Sequence, residues 1–557
     1  MISPPDTHFL DLEEVWQTIA INLHPKDVLA FISSHRNINN CLSTSASLWR
    51  QLILRDRDDV VSDNDDNSGE AGKRAASTAS SAQDMRRVYL MQSFMSTLSS
   101  VKWLPISREM QHTQFPVKAR EGHISCVLDG PADGYKSIVL TGGFSDDQSV
   151  TAIELKEGGN YNWGWTRLNP KCLTPPFSFV YGASLTALPS ALAKEMEKDR
   201  FMKSNYYHRS GKIINRNVSK AIRFGGFEGG GYSGESNQVW ILTIVDYEFE
   251  DETLDQFAVW EKIETHQQEE HGTNFHPSAR AYHSATLLYD RYLLLIGGMT
   301  SSGSCIDESI LDIKEMRWID ASKVCEGEEK PKGRHGHSVV WDKRRDRLLL
   351  FGGGSGYDLL RSGTDNNEVW ELNMKGIAIP QLMNSTSNNN NRWEWSMIRK
   401  NTVHQQERRN DDDVTMNLSP SESLCLGRCH NTMKVGPDTV LFMFGGGRPS
   451  TNGVIGYDLA TDNFIRPTVQ GPLPVPRFTG IATFLETEGY VLVHGGFNDN
   501  IRRAVLDMFV LDLAPTLGRN FAGFPLDEDR QSQEAVTDQA ATNGQYGADF
   551  VSQYIMY

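Results

Sequence analysis

Short apolar runs separated by polar turns follow one another along most of the chain. Residues 334–354 show the unit most plainly: an apolar run at 337–341, a charged turn at 342–346 and a second apolar run at 348–351. Continuous apolar runs of this length, bounded by turn residues, predict strands that are buried on both faces. Gly352 and Gly353 then allow a backbone turn that a β-carbon would obstruct. The pattern predicts a hairpin that ends in a glycine pair.

The same hairpin recurs along the chain. The glycine pairs that end the second strand of each copy are Gly142 and Gly143, Gly225 and Gly226, Gly297 and Gly298, Gly352 and Gly353, Gly445 and Gly446, and Gly495 and Gly496. An Arg and a His precede most copies, as Arg334 and His337 do. A third apolar strand and an aromatic fourth segment follow, for example at 368–372 and at Trp393. A period of this kind indicates a repeat architecture.

The order of elements in each unit is two strands, a glycine pair, a third strand and a Trp segment. This order resembles the kelch repeat, and the resemblance implies a β-propeller whose blades are four-stranded sheets. The predicted fold class is therefore mainly β: a six-bladed kelch-type β-propeller over residues 101–515, preceded by a small N-terminal α-helical domain. The sixth copy lacks its Trp segment, whereas an unassigned one containing Trp103 precedes the first copy. We predict that residues 101–107 pair into the sixth blade and close the ring, which protects edges that an open sheet would expose.

Residues 9–56 carry apolar residues at helical spacing. Residues 23–29 read Leu-His-Pro-Lys-Asp-Val-Leu, and residues 48–50 read Leu-Trp-Arg. These two blocks resemble the F-box, although Asp11 and Leu12 stand where the family opens with Leu-Pro. The resemblance implies binding to a Skp1-like adaptor of a cullin complex. Its expected adaptor-binding or supporting residues are Val15, Ile19, Leu23, Pro25, Val28 and Leu29. The alternative is a small helical cap packed on the propeller.

Other segments complete the predicted organisation. Residues 57–83 are polar and indicate a flexible linker, and residues 84–100 show helical spacing and are expected to connect the N-terminal domain to the ring. Residues 189–218 and 246–276 are predicted loop insertions of the second unit, and 384–391 and 400–423 are insertions near the fourth and fifth. Residues 516–557 are expected to form a disordered tail.

Composition narrows the functional classes. The chain has 557 residues, with 71 Asp and Glu against 55 Lys and Arg, which argues against a general nucleic-acid or anionic-membrane binder. No secretory signal and no run long enough to span a bilayer is evident, so no membrane partner is expected. Seven scattered cysteines favour reduced thiols in the cytoplasm or nucleus.

The residues that could serve as catalytic, metal-binding or phosphate-binding groups also have structural explanations. The repeated Arg and His residues occupy equivalent places in separate blades, so we expect them to bond strand ends and carbonyls. Cys425, Cys429 and His430 contain zinc-type ligands, but four ligands are needed and no second pair lies nearby. Residues 225–231 are glycine-rich without the Lys and helix of a phosphate loop. We therefore expect no cofactor, no metal and no catalytic residue.

The two resemblances together imply an F-box–kelch protein. It would be the substrate-recognition subunit of an SCF-type (Skp1–cullin–F-box) E3 ubiquitin ligase, a non-catalytic adaptor that binds a target protein through propeller loops. A kelch scaffold without a role in ubiquitination is the alternative. A propeller enzyme, such as a copper radical oxidase, is a further one, but Cys126, Cys172 and Cys305 lack a context that marks such a centre.

Overall fold

The computed structural model describes most of the region predicted as a propeller and a few residues before it. The described residues are 17, 20, 48, 51, 52, 91, 95, 97–106, 119–129, 135–144, 150–156, 166–170, 180–197, 213–228, 234–249, 254–265, 275–323, 325–327, 329–356, 367–374, 379, 392–399, 426–445, 450–486 and 489–515. Among them are six sheets of four or five strands and two two-stranded sheets. The described part of the chain is a mainly β, six-bladed propeller.

Each blade has four antiparallel strands in chain order from the axis outward, except that the outer strand of blade 6 comes from the start of the propeller. Blade 1 contains β2 (His123–Asp129), β3 (Tyr135–Gly142), β4 (Thr151–Lys156) and β5 (Thr166–Arg167). Blade 2 contains β8 (Ser184–Ala187), β9 (Ile213–Phe224), β11 (Val239–Phe249) and β12 (Leu254–Ile263). Blade 3 contains β13 (Ser284–Leu288), β14 (Tyr292–Thr300), β15 (Gly303–Asp312) and β16 (Arg317–Asp320). Blade 4 contains β18 (Ser338–Asp342), β19 (Arg347–Phe351), β20 (Val369–Asn373) and β21 (Trp393–Arg399). Blade 5 contains β22 (Asn431–Gly436), β23 (Thr439–Met443), β24 (Val454–Asp458) and β25 (Asn463–Ile465). Blade 6 contains β27 (Ile481–Leu485), β28 (Tyr490–His494), β31 (Met508–Asp512) and β1 (Ser100–Pro105).

Short elements complete the described part of the chain. Blades 2, 4 and 6 each gain a fifth strand, which comes from the connection before the blade and runs parallel to the outer strand: β6 (Asn169–Pro170), β17 (Cys325–Glu326) and β26 (Thr468–Gln470). Two small ladders join β7 (Val180–Tyr181) to β10 (Phe227–Glu228) and β29 (Phe497–Asn498) to β30 (Arg503–Ala504). Among the described residues, Ser190–Glu197 form the helix α1 and Ala321–Lys323 form a 3₁₀ turn.

The ring closes through the N-terminal strand β1, as the sequence predicts. β1 pairs antiparallel with β31, with Trp103 opposite Leu511. β26 covers the other edge of β1, with Ser100 opposite Thr468. Because β1 lies between two strands, it is not an exposed edge that a second chain could extend. Trp103 is fully buried and packs 5.8 Å from the ring of Phe444, between blades 5 and 6.

The core lies between neighbouring blades. Every residue of β14, and likewise every residue of β19, is buried, as expected for strands covered on both faces. Phe351 of blade 4 packs edge-on against Phe442 of blade 5, with 4.8 Å between ring centroids. A buried side chain of this kind contributes about 1.5–3 kcal/mol by leaving water. Since one sheet cannot cover both of its own faces, each blade depends on its two neighbours.

Blade 2 differs from the prediction. Of the residues expected as loop insertions at 189–218 and 246–276, a part forms α1 and another part extends β9, β11 and β12. β9 and β11 stay in antiparallel register from Phe224 and Val239 out to Asn215 and Glu248, and the register shifts at the last pair, Ile213 and Phe249. The polar composition of these segments predicted loops. The ladder instead satisfies the backbone hydrogen-bonding groups of both strands, which extend further than the strands of the other blades.

The segment that was expected to connect the two domains contributes to the propeller core. Met91, Met95 and Leu98 are buried in the cluster that contains Trp103. Leu98 has a left-handed backbone, with φ of 44°. A β-carbon on Gly456 would lie 2.7 Å from the Leu98 side chain. The predicted F-box residues, the linker and the tail lie outside the described residues. Within the described part, no helix is long and apolar enough to cross a membrane.

Candidate functional site: the axial end of the propeller

Six residues, one from each blade, form a closed ring of backbone hydrogen bonds around the propeller axis. Each N–H donates to the carbonyl of the residue from the preceding blade, at 2.7–3.5 Å. The members of this axial ring are Gly122, Gly182, Tyr282, Gly336, Cys429 and Thr479. All six have left-handed backbones, with φ between 52° and 66°. We call the end of the propeller that carries this ring the ring face.

The opposite end is the turn face, where the innermost strand of each blade turns back into the second. The residues of the axial ring precede the inner strands, so those strands start at the ring face and end at the turn face. Tyr289 and Asp290 between β13 and β14 mark the turn face, and so does Gly489 before β28. Met91 and Met95 would meet a β-carbon on Gly489 at 3.1–3.3 Å, so the chain enters the propeller on the turn face.

The glycine pairs join each blade to the next. The second glycine donates its N–H to the following blade, as Gly298 does to the Arg334 carbonyl at 2.9 Å. The first glycine has no space for a side chain: a β-carbon on Gly297 would lie 2.8 Å from the His337 ring and 3.0 Å from the Arg334 carbonyl. Its φ of 61° also favours glycine. The structure thus places these glycines at the interfaces between blades and away from any ligand loop.

Blade 5 is shifted by one residue from the register that we predicted. The Gly445 N–H donates to the Arg477 carbonyl at 3.0 Å, so Gly445 holds the second place of the pair. Phe444, with φ of 60°, holds the first, and Gly446 lies outside the described residues. Arg428 is shifted too, because Gly353 donates to the Gly427 carbonyl at 3.2 Å. Three consecutive glycines offer two registers, and only the contact with blade 6 decides between them.

The repeated arginines support the glycine turns. Arg280, Arg334 and Arg477 are fully buried, and each donates from Nη1 to the carbonyl of the first glycine of its own blade at 3.0 Å. Carboxylates neutralise them, such as Glu368 at 2.8 Å from Arg334. Blade 2 lacks the usual Arg, but Arg223 takes its place, donating to the Gly225 carbonyl at 3.0 Å and to Glu228 at 2.6 Å. Sequence reasoning missed Arg223, although its position two residues before Gly225 was a usable signal.

The repeated histidines link neighbouring blades. His283, His337 and His430 lie 2.9–3.2 Å from the hydroxyls of Ser184, Ser284 and Ser338, each on the preceding blade. Burial lowers the pKa of His283 to about 3 and that of His430 to about 4, so both rings are neutral at physiological pH. Between blades 1 and 6, His123 instead faces His494 at 5.6 Å between ring centroids. These contacts are structural and spread around the ring.

The structure describes one of the two thiols in the candidate zinc motif. Cys429 belongs to the axial ring, and Cys425 lies outside the described residues. Among the residues that the structure describes, no group of three or more His, Cys, Asp or Glu side chains is close enough to hold a metal ion.

Aromatic side chains gather on the ring face beside the axial ring. We call this set the mouth cluster: Phe144, Tyr181, Phe227, Tyr282, Phe478 and Phe497. Phe144, Phe227 and Phe497 directly follow a glycine pair, and this position is the sequence signal from which the cluster could have been predicted. Tyr181 stacks on Phe227 at 5.1 Å. A β-carbon on Gly182 would lie 2.8 Å from the Tyr282 ring, so only glycine fits beneath it.

The side of the mouth formed by blades 4 and 5 is polar. Gly354 follows the glycine pair of blade 4, and the Arg428 guanidinium lies where its β-carbon would be, within 2.7–3.0 Å. His335 is fully buried, and its Nδ1 lies 2.9 Å from the Ser304 hydroxyl. Burial and the Arg428 charge lower the pKa of His335 to about 4. The ring face therefore has one aromatic side and one polar side.

Comparison with known proteins agrees with this architecture. A family model described as the KLHDC2/KLHL20/DRC7 Kelch-repeats domain matches residues 197–398, which run from the second blade into the end of the fourth. A search of the curated proteins found no match. The chain therefore contains a kelch-repeat domain within a six-bladed β-propeller, an architecture suited to protein binding.

Proposed function

We propose that this protein is the substrate-recognition subunit of an SCF-type E3 ubiquitin ligase. Its propeller binds the target protein on the ring face. Its N-terminal segment binds a Skp1-like adaptor and, through it, the cullin complex. The chain performs no catalytic step of its own, uses no cofactor and acts in the cytoplasm, the nucleus or both.

The observation that carries the proposal is the placement of the two ends of the propeller. Met91 and Met95 are buried against Gly489, so these residues, which precede the propeller in the chain, lie on the turn face. The mouth cluster lies at the opposite end. A target on the ring face and an adaptor held by the N-terminal segment do not compete for one surface. The F-box-like blocks at 23–29 and 48–50 supply the adaptor half of the argument.

The mechanism is proximity. A target held on the propeller has its lysines at a raised effective concentration near the charged E2 enzyme, without any group on this chain entering the reaction. In the N-terminal segment, the apolar residues Val15, Ile19, Leu23, Val28 and Leu29 supply the anchors of a helix-in-groove contact. Pro25 suits the first turn of a helix, so we expect it to start the helix that carries Val28 and Leu29.

A pull-down of the full chain with a Skp1-like adaptor tests the proposal. Wild-type protein is expected to retain the adaptor, and the double variant Leu23→Asp, Pro25→Ala is expected to lose it at least tenfold. Leu473→Asp is the matched control, because Leu473 is 55% exposed on blade 6 and the same charge should leave binding unchanged there. Absence of adaptor binding by the wild type, or equal binding by the double variant, would leave the kelch scaffold as the function.

A further inference from the structure

The interface between blade 6 and blade 1, which we call the closing interface, differs from its counterparts at one buried contact. At three other interfaces a histidine lies beside the serine that begins the inner strand of the preceding blade. The inner strand of blade 6 begins with Ile481 instead, so His123 meets no serine there. It faces His494, whose place directly before the glycine pair is held by Phe224 in blade 2 and by Phe351 in blade 4.

His123 and His494 form an edge-to-face pair inside the protein. Their ring centroids are 5.6 Å apart, with 86° between the ring planes. His123 is 5% exposed and His494 is 1% exposed. A β-carbon on Gly495 would lie 2.6 Å from Cε1 of His123 and 3.1 Å from its Nε2. The ring of His123 thus lies against the backbone of blade 6, which leaves no space for a counter-ion on that side.

Two fully buried arginines flank the histidine pair. Arg120 and Arg477 each donate from Nη1 to a glycine carbonyl of their own blade, at 3.1 and 3.0 Å. The carboxylate of Asp507 binds Arg477 at 2.6 Å from its Nη2. Burial and the charges of His494 and Arg120 hold the pKa of His123 well below its usual range. Burial and the charges of both arginines lower the pKa of His494 to about 3.

We propose that the closing interface is a proton-sensitive joint: in acid the ring opens between blades 6 and 1, and the opened form takes up one proton on His123 and one on His494. Opening hydrates both imidazoles and separates them from each other, so each regains its ordinary basicity. The same interface carries the axial-ring bond from the Gly122 N–H to the Thr479 carbonyl at 2.9 Å. Acid therefore breaks the axial ring at this point, and this inference does not depend on the proposed ligase role.

The number of protons sets the expected size of the effect. An exposed imidazole has a pKa of about 6.5, so it is mostly neutral at pH 7.5 and about 90% protonated at pH 5.5. Each histidine that titrates on opening favours the open form about tenfold over this range, and two favour it about 100-fold. The interface between blades 2 and 3 gives the comparison, since one such histidine, His283, lies there beside Ser184.

Hydrogen exchange of the full chain, followed by mass spectrometry and divided by the intrinsic rate of each amide, measures the opening. Two amides report on the closing interface: Gly122, and Gly496, whose N–H donates to the Arg120 carbonyl at 3.0 Å. Gly226, which donates to the Arg280 carbonyl at 2.9 Å, reports on the interface between blades 2 and 3. From pH 7.5 to 5.5 we expect opening to increase about 100-fold at the first two amides and about tenfold at the third.

A matched pair of variants assigns the protons. His123→Gln removes one titrating group from the closing interface and should reduce the increase at Gly122 and Gly496 to about tenfold. His430→Gln makes the same change between blades 4 and 5 and should leave the 100-fold increase in place. His494→Phe introduces the residue of blades 2 and 4 and is expected to act as His123→Gln does.

Two results would overturn the proposal. One is an equal increase at all three amides in the wild type, which would show that acid unfolds the propeller as a whole. The other is a 100-fold increase at the closing interface that persists in His123→Gln or in His494→Phe.

Discussion

Arg347 of blade 4 and Asp462 of blade 5 form a bidentate ion pair across the interface between the two blades, with N–O distances of 2.9 and 3.1 Å. The same guanidinium contacts Asp342 at 3.0 Å and Glu371 at 2.9 Å. It also donates to the Leu459 carbonyl at 2.6 Å. Arg347 is 7% exposed, and Asp342 is fully buried. One side chain thus pairs with three carboxylates and joins two blades.

Replacement of Arg347 by Met should destabilise the propeller strongly. The variant removes one of the two arginines that pair with the buried Asp342, the other being Arg345 at 3.0 Å, and removal of one member of a buried ion pair costs at most about 3–5 kcal/mol. Urea unfolding followed by tryptophan fluorescence measures the change. Arg344→Met is the control, since the ion pair of Arg344 with Asp438 is partly exposed at both ends and such pairs contribute less than about 1 kcal/mol. Equal midpoints for the two variants would contradict this account of the interface.

Replacement of Gly297 by Ala should destabilise the interface between blades 3 and 4. The new β-carbon would press on the His337 ring and the Arg334 carbonyl, at a backbone φ of 61°. We expect a loss of at least about 2 kcal/mol, because a left-handed backbone and a steric clash act together. Gly436→Ala is the matched control, since Gly436 is not among the glycines with positive φ. Thermal melting of both variants gives the comparison, and an unchanged Gly297→Ala midpoint would refute the close approach.

Truncation should show where the propeller begins. A chain that starts at residue 84 keeps Met91, Met95, Leu98 and β1, and we expect it to fold and remain monomeric. A chain that starts at residue 107 lacks β1 and leaves the edge of β31 and the cavity of Trp103 open, which promotes aggregation. Size-exclusion chromatography distinguishes the two. A monomeric, cooperatively melting product from residue 107 onward would show that β1 is dispensable.

Acid should destabilise the protein below about pH 6.5. Burial lowers the folded-state pKa of six histidines, so the unfolded chain binds more protons and stability falls as the pH drops from their unfolded value. These residues are His123, His283, His335, His337, His430 and His494. Melting temperatures at pH 7.5, 6.5 and 5.5 measure the effect. A midpoint that is flat over this range would contradict neutral buried imidazoles.

Glu121 acts in the opposite direction. Its raised pKa of about 7 means that the folded protein prefers the neutral acid, so its contribution to stability is unfavourable above pH 7 and is relieved as the pH falls toward 4.5. Glu121→Gln is therefore expected to raise the melting temperature at pH 8 and to leave it nearly unchanged at pH 5. One carboxyl group does not outweigh six histidines, so the wild type still loses stability in acid.

The repeated hairpin could be predicted from the sequence because the residue patterns that indicate it are local. Residues 348–351 form an apolar run, and two glycines that follow directly predict a buried strand and its end. The absent fourth segment of the last unit and the extra one at Trp103 predicted the closure by β1, because the count of strands must balance in a closed ring. Phe444 was missed for a physical reason: its left-handed backbone is imposed by the contact of blade 5 with blade 6, and no local residue pattern indicates it.

The chain alone therefore specifies six blades, their buried strands and their closing strand, since strand formation and burial depend on residues close in sequence. The axial ring and the mouth cluster were decided only by the tertiary structure. Their members come from different blades: Gly122 and Thr479, which are hydrogen-bonded in the axial ring, are 357 residues apart along the chain. Only the closed ring brings such positions together, because the rotation from one blade to the next is a property of packed sheets and is not encoded in any single repeat.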